Sequence, residues 1–574
     1  MKHFLLLAVI TMTACGRGAA PVGQTEGPVS ATGGQRPEVV QAEHGMIASD
    51  NALATEVGVS VLQNGGNAVD AAIATAFALA VAYPEAGNLG GGGFLLARLA
   101  DGRSFALDFR EKAPLRATHD MYLDSAGNVT SKSLIGHLAS GVPGSVAGLW
   151  AAHERLGSRP WAELVAPAIQ LAETGFTVDQ HFAAVVADHE ERLQQFAASA
   201  AHFLPDGKPL QTGSRWRNPE LAAVLRRIAN QGATGFYEGE TANLIVAEMQ
   251  RGGGLISLED LKRYQPKWRE PVEFTYRGHR IISMPPASSG GLTLALLANI
   301  AEGYDLRALG RHSPEALHVV AEAARRAFAD RNYFLGDADF VKVPSARFLS
   351  EEYAQRQRAT ISLRHATPSS QVRPGLDAAV EGSHTTHFSV VDAQGNAVAL
   401  TTTLNELFGS AVTVTGAGFL LNDEMDDFSA KPGSPNLFGL VQGEPNAIAP
   451  EKRMLSAMTP TIVLDERGQL LLITGARGGP RIISAVFQIV SNVIDYDLPL
   501  ADALGGPRIH HQHLPDILYY EQGFPSQAAH ALQALGHTVQ ERSGYIGSAP
   551  TILRVGNHWE GAPDPRSGGL AKGY

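Results

Sequence analysis

A chain of 574 residues with 44% hydrophobic and 18% charged side chains has the make-up of an ordinary globular protein with room for a large core. Its net charge of −11 argues against a nucleic-acid surface. A single cysteine, Cys15, excludes an intramolecular disulfide and leaves neither a cysteine nucleophile nor a thiolate metal site in the body of the chain.

The chain opens with Lys2 and an apolar run over 4–10 that is too short to cross a bilayer as a helix. Met12-Thr13-Ala14-Cys15 follows and resembles the lipobox of bacterial lipoproteins. That resemblance implies a signal peptide over 1–14, a lipidated Cys15, and a flexible tether over 15–38, rich in Gly, Pro, Ser and Thr. The protein is then expected to be exported, periplasmic, and attached to membrane only through its lipid. An ordinary secretory signal is the alternative.

Helical spacing over 51–64 stops at Gly65-Gly66. Asn67 can cap a second helix over 68–83, apolar almost all round and so expected between layers. Gly90 to Gly93 lack the lysine of a phosphate loop and read as close backbone packing into a strand over 94–99. The return strand, 104–109, delivers Arg110 to its end. A strand-end arginine is commonly a solvated charge, but its planar guanidinium is also shaped to grip a carboxylate. Helices over 145–157, 161–173 and 179–198 read as surface structure, and no GxSxG surrounds Ser140 or Ser145. A strand pair over 273–282 folds at Arg277-Gly278, and Ser313-Pro314 starts a helix running to about 333. Residues 364–382 are largely polar and read as an exposed, mobile segment.

Residues 381–405, EGSHTTHFSVVDAQGNAVALTTTLN, alternate with the period of strands around a turn at 393–396 and read as a hairpin. One reading is a threonine-rich core hairpin. The other is a hidden nucleophile, because a threonine hydroxyl becomes reactive when its own α-amine, freed by a cut just before it, serves as base. The acidic run 422–428 suits a solvated face or a cation site, although the calcium-loop spacing is absent. Residues 431–444 form a Pro- and Gly-rich loop. A hairpin over 460–474 leads to Gly478-Gly479 and a helix over 481–496, whose first N–H groups could face an oxyanion. His510-His511-Gln512-His513 would point alternately to opposite faces and make a poor chelate, so no metal is expected. The Gly573-Tyr574 end is expected near the hairpin.

Thr385-Thr386-His387 with SVVDAQGNAV, a TLN tripeptide and DDFS resembles the γ-glutamyltransferase family. DFREKAP at 108–114, GGGGF at 90–94 and DPRSGGLAKGY at the C-terminus extend the resemblance from about residue 39 onward. It implies an α+β fold, the four-layer αββα sandwich of N-terminal-nucleophile hydrolases. It implies self-cleavage at His384–Thr385 into a large subunit, 39–384, and a small catalytic subunit, 385–574, which stay together as a heterodimer within one domain. Thr385 would be the nucleophile, Thr403 its hydrogen-bond partner, and Gly478 with Gly479 the oxyanion hole. Arg110 and Ser456 would take the substrate α-carboxylate, and Asn405, Glu424 and Asp427 its ammonium. Phe438 stands in the lid where the family has tyrosine, and Ala457 replaces a second carboxylate-binding serine. The implied reaction, needing no cofactor, moves the γ-glutamyl group of glutathione or related compounds to water or to amino acid or dipeptide acceptors. A β-lactam side-chain (glutaryl or cephalosporin) acylase on the same scaffold and an inert binding lipoprotein are the alternatives.

Overall fold

Two antiparallel seven-stranded sheets lie at the centre of the computed structural model, which describes residues 35–372, 384–434, 436 and 440–574. The leader with Cys15, and the lid residue Phe438, fall outside the described residues. The first sheet runs, in spatial order, Leu570–Gly573, Met46–Ser49, His384–Val391, Ala397–Asn405, Gly92–Arg98, Ser104–Asp108 and Lys267–Arg269. The second runs Val40–Ala42, His558–Ala562, Thr551–Val555, Leu470–Thr474, Thr461–Leu464, His279–Ser283 and Val272–Tyr276. The C-terminal strand thus lies one strand away from the strand that carries Thr385, as expected of the Gly-Tyr end.

Strand alternation sorts the core into two layers. Leu95, Ala97, Phe388, Val390, Val398 and Leu400 pack on the helix layer outside the first sheet. Phe94, Leu96, Val391, Ala397 and Ala399 turn the other way and meet Ile281, Ile462, Leu472 and Ile552 of the second sheet. Helices Gly290–Glu302, Pro314–Phe334 and Arg481–Ile494 contribute to the same core. The order is helix, sheet, sheet, helix, the expected αββα sandwich. Helix Ala68–Ala82 has all fifteen residues buried, because helices Ala52–Gln63 and Trp161–Thr174 cover its outer side. Its N-terminus is closed by Asn67 and by the Asp392 carboxylate, which accepts from the Ala68 amide at 2.9 Å.

Asp392 also forms the turn of the central hairpin, accepting from the amides of Gln394 at 3.0 Å and Asn396 at 2.9 Å. From Val391↔Ala397 to Thr386↔Thr402 the two strands are in regular register. The next pair is His384↔Asn405, so the ladder shifts between His384 and Thr386. The scissile bond expected from the sequence lies at this irregularity, where the ladder does not hold the backbone on both sides.

Two segments differ from the sequence reading. The helical region expected near 179–198 consists of three short helices, Gln180–Asp188, Glu190–Leu193 and Ala197–Phe203. Part of the segment read as exposed and mobile is buried: Ser369 is held by its amide on Asp516 at 2.7 Å and by Arg325, which donates to its hydroxyl at 2.6 Å. Tertiary charge contacts fix a stretch whose composition suggests none, and residues 373–383 are not described.

The glycine run packs as expected. A Cβ on Gly93 would lie 2.4 Å from the Thr401 carbonyl oxygen and 2.9 Å from the Phe109 ring. Gly93→Ala is therefore expected to destabilise the protein by about 1–3 kcal/mol through overpacking between these strands. A lower Tm in thermal melts checks this, and an unchanged Tm would show that the strands yield freely.

Candidate active site

Thr385 is buried at 5% exposure, and its Oγ1 lies 3.4 Å from Thr403 Oγ1 on the neighbouring strand. The Asn405 amide donates to that same Thr403 hydroxyl at 2.8 Å. Asn405 ends its strand at φ +79°, a left-handed conformation that Asn tolerates better than most residues. Its side-chain amide donates to the Asp423 carbonyl at 3.1 Å, and the Asp423 amide donates to the Leu404 carbonyl at 2.9 Å. The strand end that carries Thr403 is thereby fastened to the acidic turn Glu424–Asp427.

That turn is not a solvated face. Glu424 pairs with one guanidinium nitrogen of Arg110 and Asp427 with the other. Glu111 lies 3.6 Å from the same guanidinium. Arg110 is fully buried just beyond strand Ser104–Asp108, with the Asp108 carboxylate accepting from its amide at 3.0 Å. Burial alone would lower the Arg110 pKa, but the three carboxylates around it raise it further above its ordinary value. Burial pushes the carboxyls of Glu111, Glu424 and Asp427 up, and Arg110 opposes this in each. The arginine expected to take a carboxylate and the acids expected to take an ammonium therefore neutralise one another here.

Thr385, Thr403, Asn405, Arg110, Glu424, Asp427, Ser456, Ala457 and Gly479 line one cavity of about 330 Å³. Gly478, at φ +135°, directly precedes Gly479 but is not part of the lining. The pair enters helix Arg481–Ile494, with Gly479 accepting from the Ile482 amide at 3.0 Å. Ser456 Oγ accepts from the Met458 amide at 3.1 Å. Ala457 presents a methyl group where a second hydroxyl is expected. His384 is placed by its backbone, paired with Asn405.

Arg331 also lines the cavity, and the sequence reading missed it. It projects from helix Pro314–Phe334 and donates from Nε to Ser289 Oγ at 3.0 Å, while Ser289 Oγ donates to the Ser456 carbonyl at 2.6 Å. The available signal was charge within an otherwise alanine-rich helix, in AEAARRAFADR, where Arg325, Arg326 and Arg331 are all buried. His387, two residues after the nucleophile candidate, is held by burial to a pKa of about 3 and stays neutral between Thr401 Oγ1 at 2.9 Å and Ser389 Oγ at 3.2 Å. His510 is likewise a buried neutral ring, bonded to Ser484 Oγ at 2.8 Å and Gln512 Oε1 at 2.7 Å. Among the described residues no group of His, Cys, Asp or Glu has the arrangement of a metal site.

The arrangement is one hydroxyl nucleophile candidate, a pair of glycines at a helix entry, and a charged recess with both signs. It suits acyl transfer from a substrate with an amino-acid head group. The comparisons agree with this. The family model "Gamma-glutamyltranspeptidase" matches residues 54–574. A glutathione hydrolase proenzyme of Escherichia coli (strain K12) is 48% identical over 540 residues, covering 93% of each chain. An acylase ACY 1 proenzyme of Pseudomonas sp. (strain V22) is 38% identical over 544 residues, covering 92% of this chain and 94% of the other. The solved cephalosporin acylase of Bacillus halodurans superposes with a TM-score of 0.84 at 28% identity, over 94% of this chain and 97% of that one. With its fold, its threonine hairpin and these matches, this chain belongs to the gamma-glutamyltranspeptidase family.

Proposed function

We propose that the chain cuts its own His384–Thr385 bond and that Thr385 then carries the γ-glutamyl group. As a member of its family the chain is a γ-glutamyl acyltransferase and glutathione hydrolase. The observation that carries the residue assignment is the shared cavity: Thr385 lines the same recess as Arg110, Glu424 and Asp427.

In maturation, Thr385 Oγ attacks the carbonyl carbon of His384, the acyl group passes from nitrogen to oxygen, and water cleaves the ester. The ladder shift leaves that peptide bond free to be approached, and holding it beside the hydroxyl is a proximity effect. The freed α-amine, with an ordinary pKa of roughly 7.7–8.0, becomes the base. In turnover, Thr385 Oγ attacks the γ-carbonyl of glutathione or another γ-glutamyl amide while the amine takes its proton. Gly478 and Gly479 offer N–H groups to the oxyanion. The leaving amine departs, and water or an amino acid or dipeptide then accepts the acyl group. The fragments 39–384 and 385–574 remain together as a heterodimer.

The substrate head group enters by exchange. Its α-carboxylate replaces Glu424 or Asp427 on Arg110, with Ser456 adding a hydroxyl, and its ammonium takes the released carboxylates with Asn405. This exchange keeps every buried charge paired, which a glutaryl group could not do because it lacks the ammonium. A glutaryl or cephalosporin acylase is the second reading, and Ala457 is the observation that favours it. The retained carboxylates favour the first. Residues 1–38 are assigned to export and, through Cys15, to a lipid anchor facing the periplasm.

Purified protein is expected as two fragments, the smaller starting at Thr385, while Thr385→Ala stays one inactive chain. A gel with N-terminal sequencing checks this, and a processed Thr385→Ala chain would overturn the mechanism. Ala457→Ser should lower KM for a γ-glutamyl anilide about tenfold or more, since a hydrogen bond to a charged group contributes roughly 1.5–3 kcal/mol. An unchanged or higher KM would mean that the recess is shaped for another acyl group. Asp427→Asn should raise KM for γ-glutamyl donors while Arg110 keeps Glu424 as its partner. Steady-state kinetics beside a glutaryl analogue read this out, and an unchanged donor preference would remove Asp427 from the head-group site.

A further inference from the structure

Behind the nucleophile lies a second buried charged cluster that the reaction described above does not use. Asp50 follows strand Met46–Ser49 and is 4% exposed. One carboxylate oxygen accepts from Ser567 Oγ at 2.6 Å and from Ser548 Oγ at 3.4 Å. The other accepts from Thr386 Oγ1 at 3.1 Å and lies 3.9 Å from Nε of the buried Arg477. Arg477 donates to the Tyr83 hydroxyl and sits between two rings, 5.9 Å from that of Tyr83 and 5.3 Å from that of Tyr545.

The positions of these partners in the chain matter more than their number. Thr386 is the residue after Thr385, and Arg477 is the residue before Gly478. Arg477 is also tied to Ser548 by two backbone hydrogen bonds, of 2.8 and 3.0 Å. Gly547 abuts the oxyanion loop so closely that a Cβ on Gly478 would lie 3.0 Å from its Cα. One carboxylate therefore bridges the strand that bears the nucleophile to the loop that bears the oxyanion donors. Asp50 comes from the part of the chain before the cut, and its partners Thr386, Arg477, Ser548 and Ser567 come from the part after it.

We propose that Asp50, through Thr386 and Arg477, is a positioning residue that sets the distance between Thr385 and the oxyanion glycines in the processed enzyme. The proposal rests on the residue roles assigned under Proposed function. Before the cut, Thr385 is restrained by the chain on both sides. Afterwards it is a chain end, and chain ends fray unless they are tied down. The Thr386 hydroxyl on Asp50 is a side-chain tie one residue from that end. Errors of about 1 Å in such a site can lower rates on the order of a hundredfold, and oxyanion donors must be in place before charge develops.

The test uses full-length, self-processed enzyme and hydrolysis of a γ-glutamyl anilide. Thr386→Val keeps the volume and loses the hydroxyl, Thr386→Ser keeps the hydroxyl, and Asp50→Asn keeps the shape and loses the charge. Thr386→Val and Asp50→Asn are expected to lower kcat roughly ten- to hundredfold with KM within about twofold, the signature of a loss felt in the transition state. Thr386→Ser should recover most of the rate. Should Asp50→Asn fail to fold or process, the two Thr386 variants decide alone. Folded, processed Thr386→Val with wild-type kcat would overturn the proposal, as would a Ser variant no better than Val. Wild-type enzyme inert on the anilide would count against the functional reading itself and not against this tie.

Discussion

Arg110 and the carboxylates of Glu424 and Asp427 hold one another in a recess from which water is largely excluded. Removing one member of such a buried group leaves an uncompensated charge, which costs about 3–5 kcal/mol. The partners come from distant parts of the chain: a strand end near residue 110 and a turn after the central hairpin. Their pairing draws the end of strand Ala397–Asn405, through Asn405 and Asp423, against the first sheet's Arg110 corner. Thr403, and through it Thr385, is placed by the same contact. The charged recess and Thr385 are thus one mechanical unit, and a ligand with both charges could open the internal pair without leaving either side bare.

The sandwich supplies the rigidity this needs. The strand that carries Thr385 is third of seven in its sheet, flanked on one side by Met46–Ser49 and on the other by its hairpin partner. Only its first residues depart from the ladder, so the irregularity is confined to the end that carries Thr385. Glycines at 90–93 let the backbone of strand Gly92–Arg98 approach closely enough to seal the other side of the hairpin.

Much of this was legible in the sequence. Strand period, the turn at 393–396, the Asn67 cap and the almost all-apolar helix Ala68–Ala82 are local features, and local propensity agreed with the fold. Arg110, Thr385, Glu424 and Gly479 were named as candidates because short motifs around them resemble a known family, and the fold brings them to one cavity. Asp50 and Arg477 were not, because nothing local distinguishes a buried aspartate or arginine from a solvated one; their partners Ser567 and Tyr83 are hundreds of residues away. The same reason explains Ser369, which lies in a polar stretch read as exposed but is buried by Asp516 and Arg325.

The interleaving of strands has a consequence for how the cut enzyme would endure. The first sheet takes four strands from before residue 384 and three from His384 onward, and the second takes three and four. Neither fragment owns a complete sheet, so neither has a core of its own to fall back on. Folding of the uncut chain is unimolecular, whereas reassembly of separated fragments is a second-order encounter between two chains with bare strand edges. Cleavage at His384–Thr385 would therefore turn a unimolecular fold into one protected chiefly by the slowness of its opening. Its lifetime would be governed by the unfolding rate and would not be recovered by refolding at low concentration.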